Sequence, residues 1–181
     1  MWEKIKAYFR NRKIREVLAQ GKKFAHDFID VEKAKSIGLM INVNQCNPED
    51  IKDIHTYMDA ARAKGLKVIV FELNYLKKST PAFGTSAHAV FINPEKTNWY
   101  DCPVSAVQGL IAQYDMDILL NFDTSESMTP HFISAFSHAR TRTSVYKEGF
   151  ENFYEVMVAF KETRFKKMLQ NFEHFLKMIE K

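Results

Sequence analysis

Short, mostly apolar runs of strand length alternate along this chain with segments in which apolar residues recur at helical spacing. The runs at 36–43, 67–73 and 116–122 are typical of strands that are buried on both faces of a parallel sheet. Between the first two runs, Asn47, Pro48 and two acidic residues mark a helix start, and Gly65 marks its end. The pattern therefore predicts a strand–helix–strand unit.

Weaker patterns continue this alternation. We expect a short strand at 87–92, at an edge or antiparallel, a helix over 103–114, and a helix from Thr129 to about Ala139. Strands are predicted at 141–146 and 154–160, and the apolar spacing over 163–180 predicts a strongly amphipathic last helix. Together these elements predict a three-layer, Rossmann-like α/β fold with a mostly parallel sheet of about five to six strands.

The first segment, 2–28, predicts a helix whose apolar side changes along its length. Trp2, Ile5 and Phe9 share one face, whereas the apolar residues of 14–18 lie more than about 90° away. The two halves are expected to contact different surfaces, or the helix to bend near 11–13. We expect one domain over 1–181, in which a basic N-terminal helix within 1–30 packs on or projects from an α/β core over 31–181.

Composition bounds the class of protein. The chain has 181 residues, of which 46% are hydrophobic, enough to form one folded core. The two cysteines, Cys46 and Cys102, cannot form a disulfide framework or a four-ligand zinc site by themselves. No apolar run reaches the roughly 18 residues of a spanning helix, and the N-terminus lacks the apolar centre of a signal peptide. The expected location is the cytoplasm, and no metal or cofactor is predicted.

Positive charge is concentrated near the N-terminus. Residues 1–28 carry eight Lys/Arg against three Asp/Glu, a net charge of +5, although the whole chain has a net charge of only +4. A nucleic acid or protein partner would use these cations beside Trp2, Tyr8 and Phe9, and an anionic membrane would take the apolar residues as a wedge. A solvated helix packed on its own domain is the alternative, because the basic residues surround the helix. The candidate contacts for an anionic partner are Lys4, Lys6, Arg10, Arg12, Lys13 and Arg15.

The ends of two predicted strands are the candidate ligand site, since ligands of open α/β sheets bind beyond strand ends at a topological switch point. Asn44 and Asp123 are expected on the same rim, and Arg140 and Arg142 on one strand face, where guanidinium groups suit phosphate or carboxylate. Alternatively, the tip residues are helix caps and turn formers, and the arginines pair with carboxylates of the fold. The candidate ligand-binding residues are Asn44, Asn47, Asp123, Thr124, Ser125, Arg140 and Arg142.

Motifs of common chemistries are absent from the sequence. It contains no GxGxxG, GxxxxGK[ST], GxSxG or HExxH pattern. His131 and His138 are seven residues apart and are expected on one helix face. Cys46, near a helix start, is better placed for reactivity than Cys102, but inert thiols are expected at both positions.

Several segments resemble a family of small bacterial proteins catalogued as a domain of unknown function, namely 36–43, the helix after Pro48, 98–103, 114–122, 134–142 and 154–158. This resemblance covers nearly the whole chain and implies no activity. Residues 117–146 are more weakly similar to the N-terminal domain of heptosyltransferase-like glycosyltransferases, although Thr143 and Ser144 stand where a glycine is typical. That resemblance implies at most a shared fold. The sequence predicts a non-enzymatic binding or interaction protein. The alternative is an enzyme-like domain resembling a glycosyltransferase half, which binds a phosphorylated or sugar ligand.

Overall fold

The computed structural model describes residues 2–21, 27–84, 88–159 and 161–179, and over these the chain forms six strands and five α-helices. Predicted helix or strand positions at 22–26, Ala87, Phe160 and Glu180 lie outside the described residues. The strands are β1 (Ser36–Asn42), β2 (Lys67–Leu73), β3 (Ala89–Ile92), β4 (Asp115–Asn121), β5 (His138–Val145) and β6 (Val156–Val158). The helices are α1 (Trp2–Gly21), α2 (Pro48–Ala63), α3 (Ser105–Ala112), α4 (Thr129–Phe136) and α5 (Phe165–Ile179).

The six strands form one sheet in the order β3-β2-β1-β4-β5-β6, and every pairing is parallel. The predicted Rossmann-like α/β fold is confirmed. Along the chain, β2 and β3 are added on one side of β1, whereas β4, β5 and β6 are added on its other side. The topological switch point therefore lies between β1 and β4. The short strand predicted near 87–92 is the parallel edge strand β3.

Side chains of the central strands alternate between two cores. Ile37, Leu39 and Ile41 of β1 face α2 and α5, whereas Met40 of the same strand faces α3 and α4. Both cores are closed to solvent, because the strands are apolar at nearly every position and therefore need a covering layer on each side. The result is the three-layer arrangement, in which the loops after β1 and β4 leave the same edge of the sheet.

The helix predicted from Thr129 to Ala139 ends earlier, at Phe136. Ser137 is extended (φ −71°, ψ 148°), and its backbone N–H bonds to the carbonyls of Ile133 and Ser134, which closes α4. His138 then begins β5 and pairs in register with Asp115 of β4. The prediction that His131 and His138 share a helix face is therefore wrong, because pairing with the sheet overrides local helix preference.

Helix α1 packs outside the three layers, and its two halves contact different surfaces, as its pattern predicts. Val17 is 1% exposed and packs with Ala135 of α4 and Tyr154. At the other end, Trp2 and Phe9 contact the Trp99 ring. Among the described residues, no helix has both the length and the apolar character that crossing a membrane requires.

Candidate functional site

The C-terminal ends of β1 and β4 meet at Asp123, whose side chain is fully buried. One carboxylate oxygen accepts hydrogen bonds from the Asn42 side-chain amide at 3.0 Å and from the Ser125 backbone N–H at 2.7 Å. The other accepts a hydrogen bond from the Tyr75 hydroxyl at 2.6 Å. The protein itself therefore supplies donors to both oxygens of the most central predicted ligand residue.

Tyr75 also connects Asp123 to the predicted residue Asn44. Its backbone N–H donates to Asn44 Oδ1 at 2.7 Å, and the Asn44 amide donates to Asn74 Oδ1 at 3.2 Å. Asn44 and Asp123 thus share a rim, as expected from parallel strand ends. Burial and the Asp123 charge raise the pKa of Tyr75, so its hydroxyl remains a donor. Sequence reasoning missed Tyr75, because it lies in a loop with no motif around it.

A second layer of polar groups lies beneath this rim. Asn121, the last residue of β4, donates from its side-chain amide to Ser144 Oγ at 3.1 Å and to the Tyr154 hydroxyl at 2.9 Å. The Tyr154 hydroxyl lies 2.9 Å from His131 Nδ1, and the His131 ring stacks on Phe150. Asn121 was also missed, although a polar residue that closes an otherwise apolar run was a signal available in the sequence.

His131 is 1% exposed, and its Nε2 has no hydrogen-bond partner among the described residues. Burial, together with the positive charge of Lys147, lowers the pKa of His131 to about 3. Because the ring is neutral at physiological pH, it contributes a dipole and a stacking surface to this layer. It contributes no positive charge for an anionic ligand.

The rim leaves little space between its side chains. A cavity of about 30 Å³ is lined by Asn42, Gln45, Phe122 and Thr124, among others, which is room for a water molecule. The Thr124 backbone N–H donates to Gln45 Oε1 at 3.1 Å, and Ser125 Oγ accepts from a backbone N–H of the same turn at 3.3 Å.

Asn47 caps α2. Its Oδ1 accepts the Asp50 N–H at 2.9 Å, while the Asp50 carboxylate accepts the Asn47 N–H at 3.2 Å. The tip residues thus make the cap and turn bonds that were the alternative interpretation of the sequence.

The two predicted arginines are engaged elsewhere. The Arg142 guanidinium is 2.6 Å from the Glu155 carboxylate, with both side chains largely buried. Arg140 pairs with Asp27 at 2.9 Å and approaches Asp117 at 3.7 Å. Asp117 in turn accepts bonds at the start of β1, so Arg140 lies at the sheet edge opposite Asp123. The structure brings Asn44, Asp123, Thr124 and Ser125 together and separates the arginines from them.

Neither cysteine is in an activating environment. Burial raises the pKa of Cys46 and that of Cys102 to about 11, so both thiols are protonated at neutral pH. Within the described ranges, no group of three or more His, Cys, Asp and Glu side chains is arranged to hold a metal ion.

An exposed aromatic cluster lies at the N-terminal half of α1. Trp2 is 61% exposed and its ring centroid lies 5.2 Å from that of Trp99, which is itself 43% exposed. Phe9 packs edge-on against Trp99 at 5.4 Å, and Tyr8 packs against Phe9 at 5.5 Å. Four aromatic rings are thus held together at the surface instead of in a core.

The structure divides the six candidate basic residues into two groups. Lys6 and Arg10 face inward and pair with Asp101 at 3.1 and 3.0 Å, and Lys13 pairs with Glu16 at 2.9 Å. Asp101 is the one non-glycine residue with a positive φ (69°) among the described residues.

Lys4, Arg12 and Arg15 are exposed, and none of them forms an ion pair with a described carboxylate. With Tyr8 they occupy positions 4, 8, 12 and 15, which form one stripe on a helix. We call this stripe, with Trp2, Ile5, Phe9 and Trp99, the α1 surface.

Comparison with family models gives the family of this chain. The model of a family of unknown function, DUF6913, matches residues 6–179. The chain belongs to this family. The resemblance to a family of unknown function that the sequence predicts is therefore confirmed. Membership of this family brings no assigned activity. No curated protein matches the chain.

Among solved structures, this DUF6913 member is similar to a glycosyl transferase family 9 protein from Veillonella parvula DSM 2008. The TM-score is 0.48 with 12% sequence identity, over 80% of this chain and 42% of the other. The chain therefore spans less than half the length of that protein.

Proposed function

We propose that this protein is a binding module that recognises single-stranded nucleic acid through the α1 surface. The observation that carries the proposal is the exposed stripe of Lys4, Tyr8, Arg12 and Arg15 beside a cluster of exposed aromatic rings. Cations track a phosphate backbone, and aromatic faces stack on unpaired bases. Both elements occur here on one rigid helix.

Charge distribution supports an anionic partner. The two cations nearest the core, Lys6 and Arg10, share the single carboxylate of Asp101, whereas the three cations of the stripe are exposed. The excess positive charge of the chain is confined to this segment, since the remainder of the chain is close to neutral. A polyanion is therefore attracted to α1 and not to the body of the molecule.

Aromatic exposure favours single strands over duplexes. Tyr8 is 58% exposed and Trp2 61% exposed, so their ring surfaces are accessible to bases that are not already stacked in a helix. Stacking of a base on an aromatic side chain stabilises a complex by about 1 to 3 kcal/mol. A surface built for solubility alone would carry the cations without the four rings.

The test is fluorescence anisotropy with a labelled oligouridine of about twenty nucleotides, measured over a series of salt concentrations. The affinity is expected to fall steeply with salt. In the double variant Arg12→Gln/Arg15→Gln, the slope of log K against log salt is expected to decrease in magnitude by about 1.4, because two phosphate contacts are lost. The variant Tyr8→Ala is expected to weaken binding with little change in slope.

The matched control is Lys166→Gln/Lys167→Gln, which removes the same charge from exposed positions of α5. Equal losses in both double variants would show that only net charge matters and would overturn the proposal. So would binding to vesicles with anionic headgroups in the absence of oligouridine binding. Point substitutions are preferable to deleting α1, since its removal would uncover Ala135 and Tyr154.

The second hypothesis, a phosphorylated or sugar ligand at the β1–β4 rim, has less support. Asp123 accepts three internal hydrogen bonds, and Arg142 is paired with Glu155. A ligand there would have to replace these bonds, so the rim fits the role of a structural hub that fixes the loops after β1, β2 and β4.

A further inference from the structure

A large cavity lies at the sheet edge opposite the β1–β4 rim, between α2, α5 and the segment that precedes β1. Its volume is about 540 Å³, within the range of small-ligand sites. Its floor is apolar and includes Ile37, Ala61 and Leu66. Small residues on the facing side of α2, Ala60 and Ala61, leave the space that larger side chains would fill.

Two charged side chains that line this cavity, Lys177 and Glu32, pair with each other, but other polar groups there make no such bond. Glu173 of α5 is partly buried, and its carboxylate makes no hydrogen bond or ion pair with another described residue. The Tyr57 hydroxyl likewise has no hydrogen-bond partner among the described residues. Neither the Glu173 oxygens nor the Tyr57 hydroxyl is among the fully buried unpartnered atoms of the described residues, so both can be reached by a ligand that enters the cavity.

Electrostatics place these groups close together. Burial, and after it the Glu173 charge, raises the pKa of Tyr57 to about 12, and burial raises the pKa of Glu173 while Lys177 and Lys64 oppose that rise. Lys177 is already paired with Glu32 at 2.8 Å, whereas Lys64 has no carboxylate partner among the described residues. The cavity thus presents a carboxylate beside an aromatic ring, with the Lys64 ammonium group close enough to act on that carboxylate but not bonded to it.

We propose that this cavity binds a small zwitterion with an apolar body, of the class of apolar amino acids. The ligand's ammonium group binds Glu173 and the Tyr57 ring, a combination of charge and ring face that suits organic cations. Its carboxylate binds Lys64, and its side chain occupies the apolar floor over Ala61 and Leu66. This site lies on a different face from the α1 surface and does not depend on the proposed nucleic-acid binding.

The experiment is calorimetric titration of the full chain with L-leucine and with L-phenylalanine as probes. Saturable binding of at least one probe is expected. Two compounds related to phenylalanine separate the contacts: 3-phenylpropanoate lacks the ammonium group and 2-phenylethylamine lacks the carboxylate. Each compound is expected to bind with an affinity at least about tenfold lower, since each lacks one of the two charged groups.

Two variants test the assignment. Glu173→Gln keeps the shape of the side chain and is expected to weaken probe binding by about tenfold or more. Ala60→Leu, at an exposed position that lines the cavity, fills the space and is expected to abolish binding without unfolding the domain. Glu162→Gln, an exposed carboxylate just before α5, is the matched control and is expected to bind as the unmodified chain does.

Failure of both amino acids to bind would overturn the proposal, as would equal binding by Glu173→Gln or by 2-phenylethylamine. The variant Arg12→Gln/Arg15→Gln is expected to bind the probes normally. The two proposals therefore fail or succeed independently.

Discussion

The strand position most sensitive to added volume is Gly38, in the middle of β1. A Cβ atom placed there would lie 2.5 Å from Met116 Sδ, 2.8 Å from Leu119 Cδ1 and 3.3 Å from Phe71 Cε2. Met116 is 2% exposed and the other two are fully buried, so none of them can move into solvent. We predict that Gly38→Ala destabilises the protein, even though alanine loses less conformational entropy than glycine when a strand forms.

The magnitude follows from opposing contributions. Replacing glycine with alanine lowers the entropy of the unfolded chain and buries one methyl group, each of which stabilises by about 0.5 to 1 kcal/mol. Overpacking a closed core costs about 1 to 3 kcal/mol, and here two of the three contacts are shorter than real Cβ contacts allow. The two closest contacts are with the ends of side chains that could shift in an open site, but both are buried and can move only by displacing other core side chains, so the upper part of that range applies. The expected net loss is about 1 to 2 kcal/mol.

The assay is urea unfolding followed by circular dichroism, with thermal unfolding as a second measurement. A loss of this size lowers Tm by about 2 to 8 °C for a domain of this length. Gly109→Ala is the matched control, because a Cβ at this exposed position of α3 meets no atom within 4 Å. That variant is expected to stabilise by up to about 1 kcal/mol. If Gly38→Ala were as stable as the unmodified protein, the close packing of β1 against β4 would be refuted.

Three further predictions concern buried groups. Glu155→Gln removes the charge that balances Arg142 and should lower the unfolding free energy in urea by about 3 kcal/mol. Val17→Ala leaves a cavity between α1 and α4 and should cost about 2 kcal/mol, with faster amide hydrogen exchange in α1. The pKa of His131 falls from 6.5 to about 3 on folding, so between these values the unfolded chain binds a proton that the folded chain does not. Stability should therefore fall as pH decreases from about 6.5 to about 3, and His131→Phe should reduce that slope by about 1.4 kcal/mol per pH unit.

Each of these predictions has a control at an exposed position. Glu148→Gln, Val104→Ala and His174→Phe repeat the three chemical changes at exposed positions. They should change stability by less than about 0.5 kcal/mol and leave the pH profile unaltered. A control that matched its buried counterpart would contradict the corresponding prediction.

The fold was predictable because its central strands are short, mostly apolar runs between more polar segments. The apolar run of β1 and the Asn47–Pro48 helix start are local signals, and parallel strands follow from strands that are buried on both faces. The end of α4 was not predictable from local preference, since the extended conformation of Ser137 is set by pairing of β5 with β4.

The candidate site was predictable only in part. The shared rim of Asn44 and Asp123 follows from strand direction, but Tyr75 reaches Asp123 from a loop whose path no pattern encodes. For a related reason, the sequence could not decide whether the arginines bind an anion or pair with carboxylates of the fold. Strand periodicity assigns Arg140 and Arg142 to one face, but it does not specify which end of the neighbouring strands they approach, nor that Glu155 and Asp117 lie within reach.

The packing of α1 has a consequence for how the chain is assembled. This helix leaves the ribosome before the strands of the sheet, yet Val17 packs on Ala135 and Tyr154, which lie far later in the sequence. Closing so long a loop is entropically costly until the sheet exists to receive the helix. During synthesis the basic, aromatic segment therefore remains without these docking partners until α4 and the residues around Tyr154 have been made.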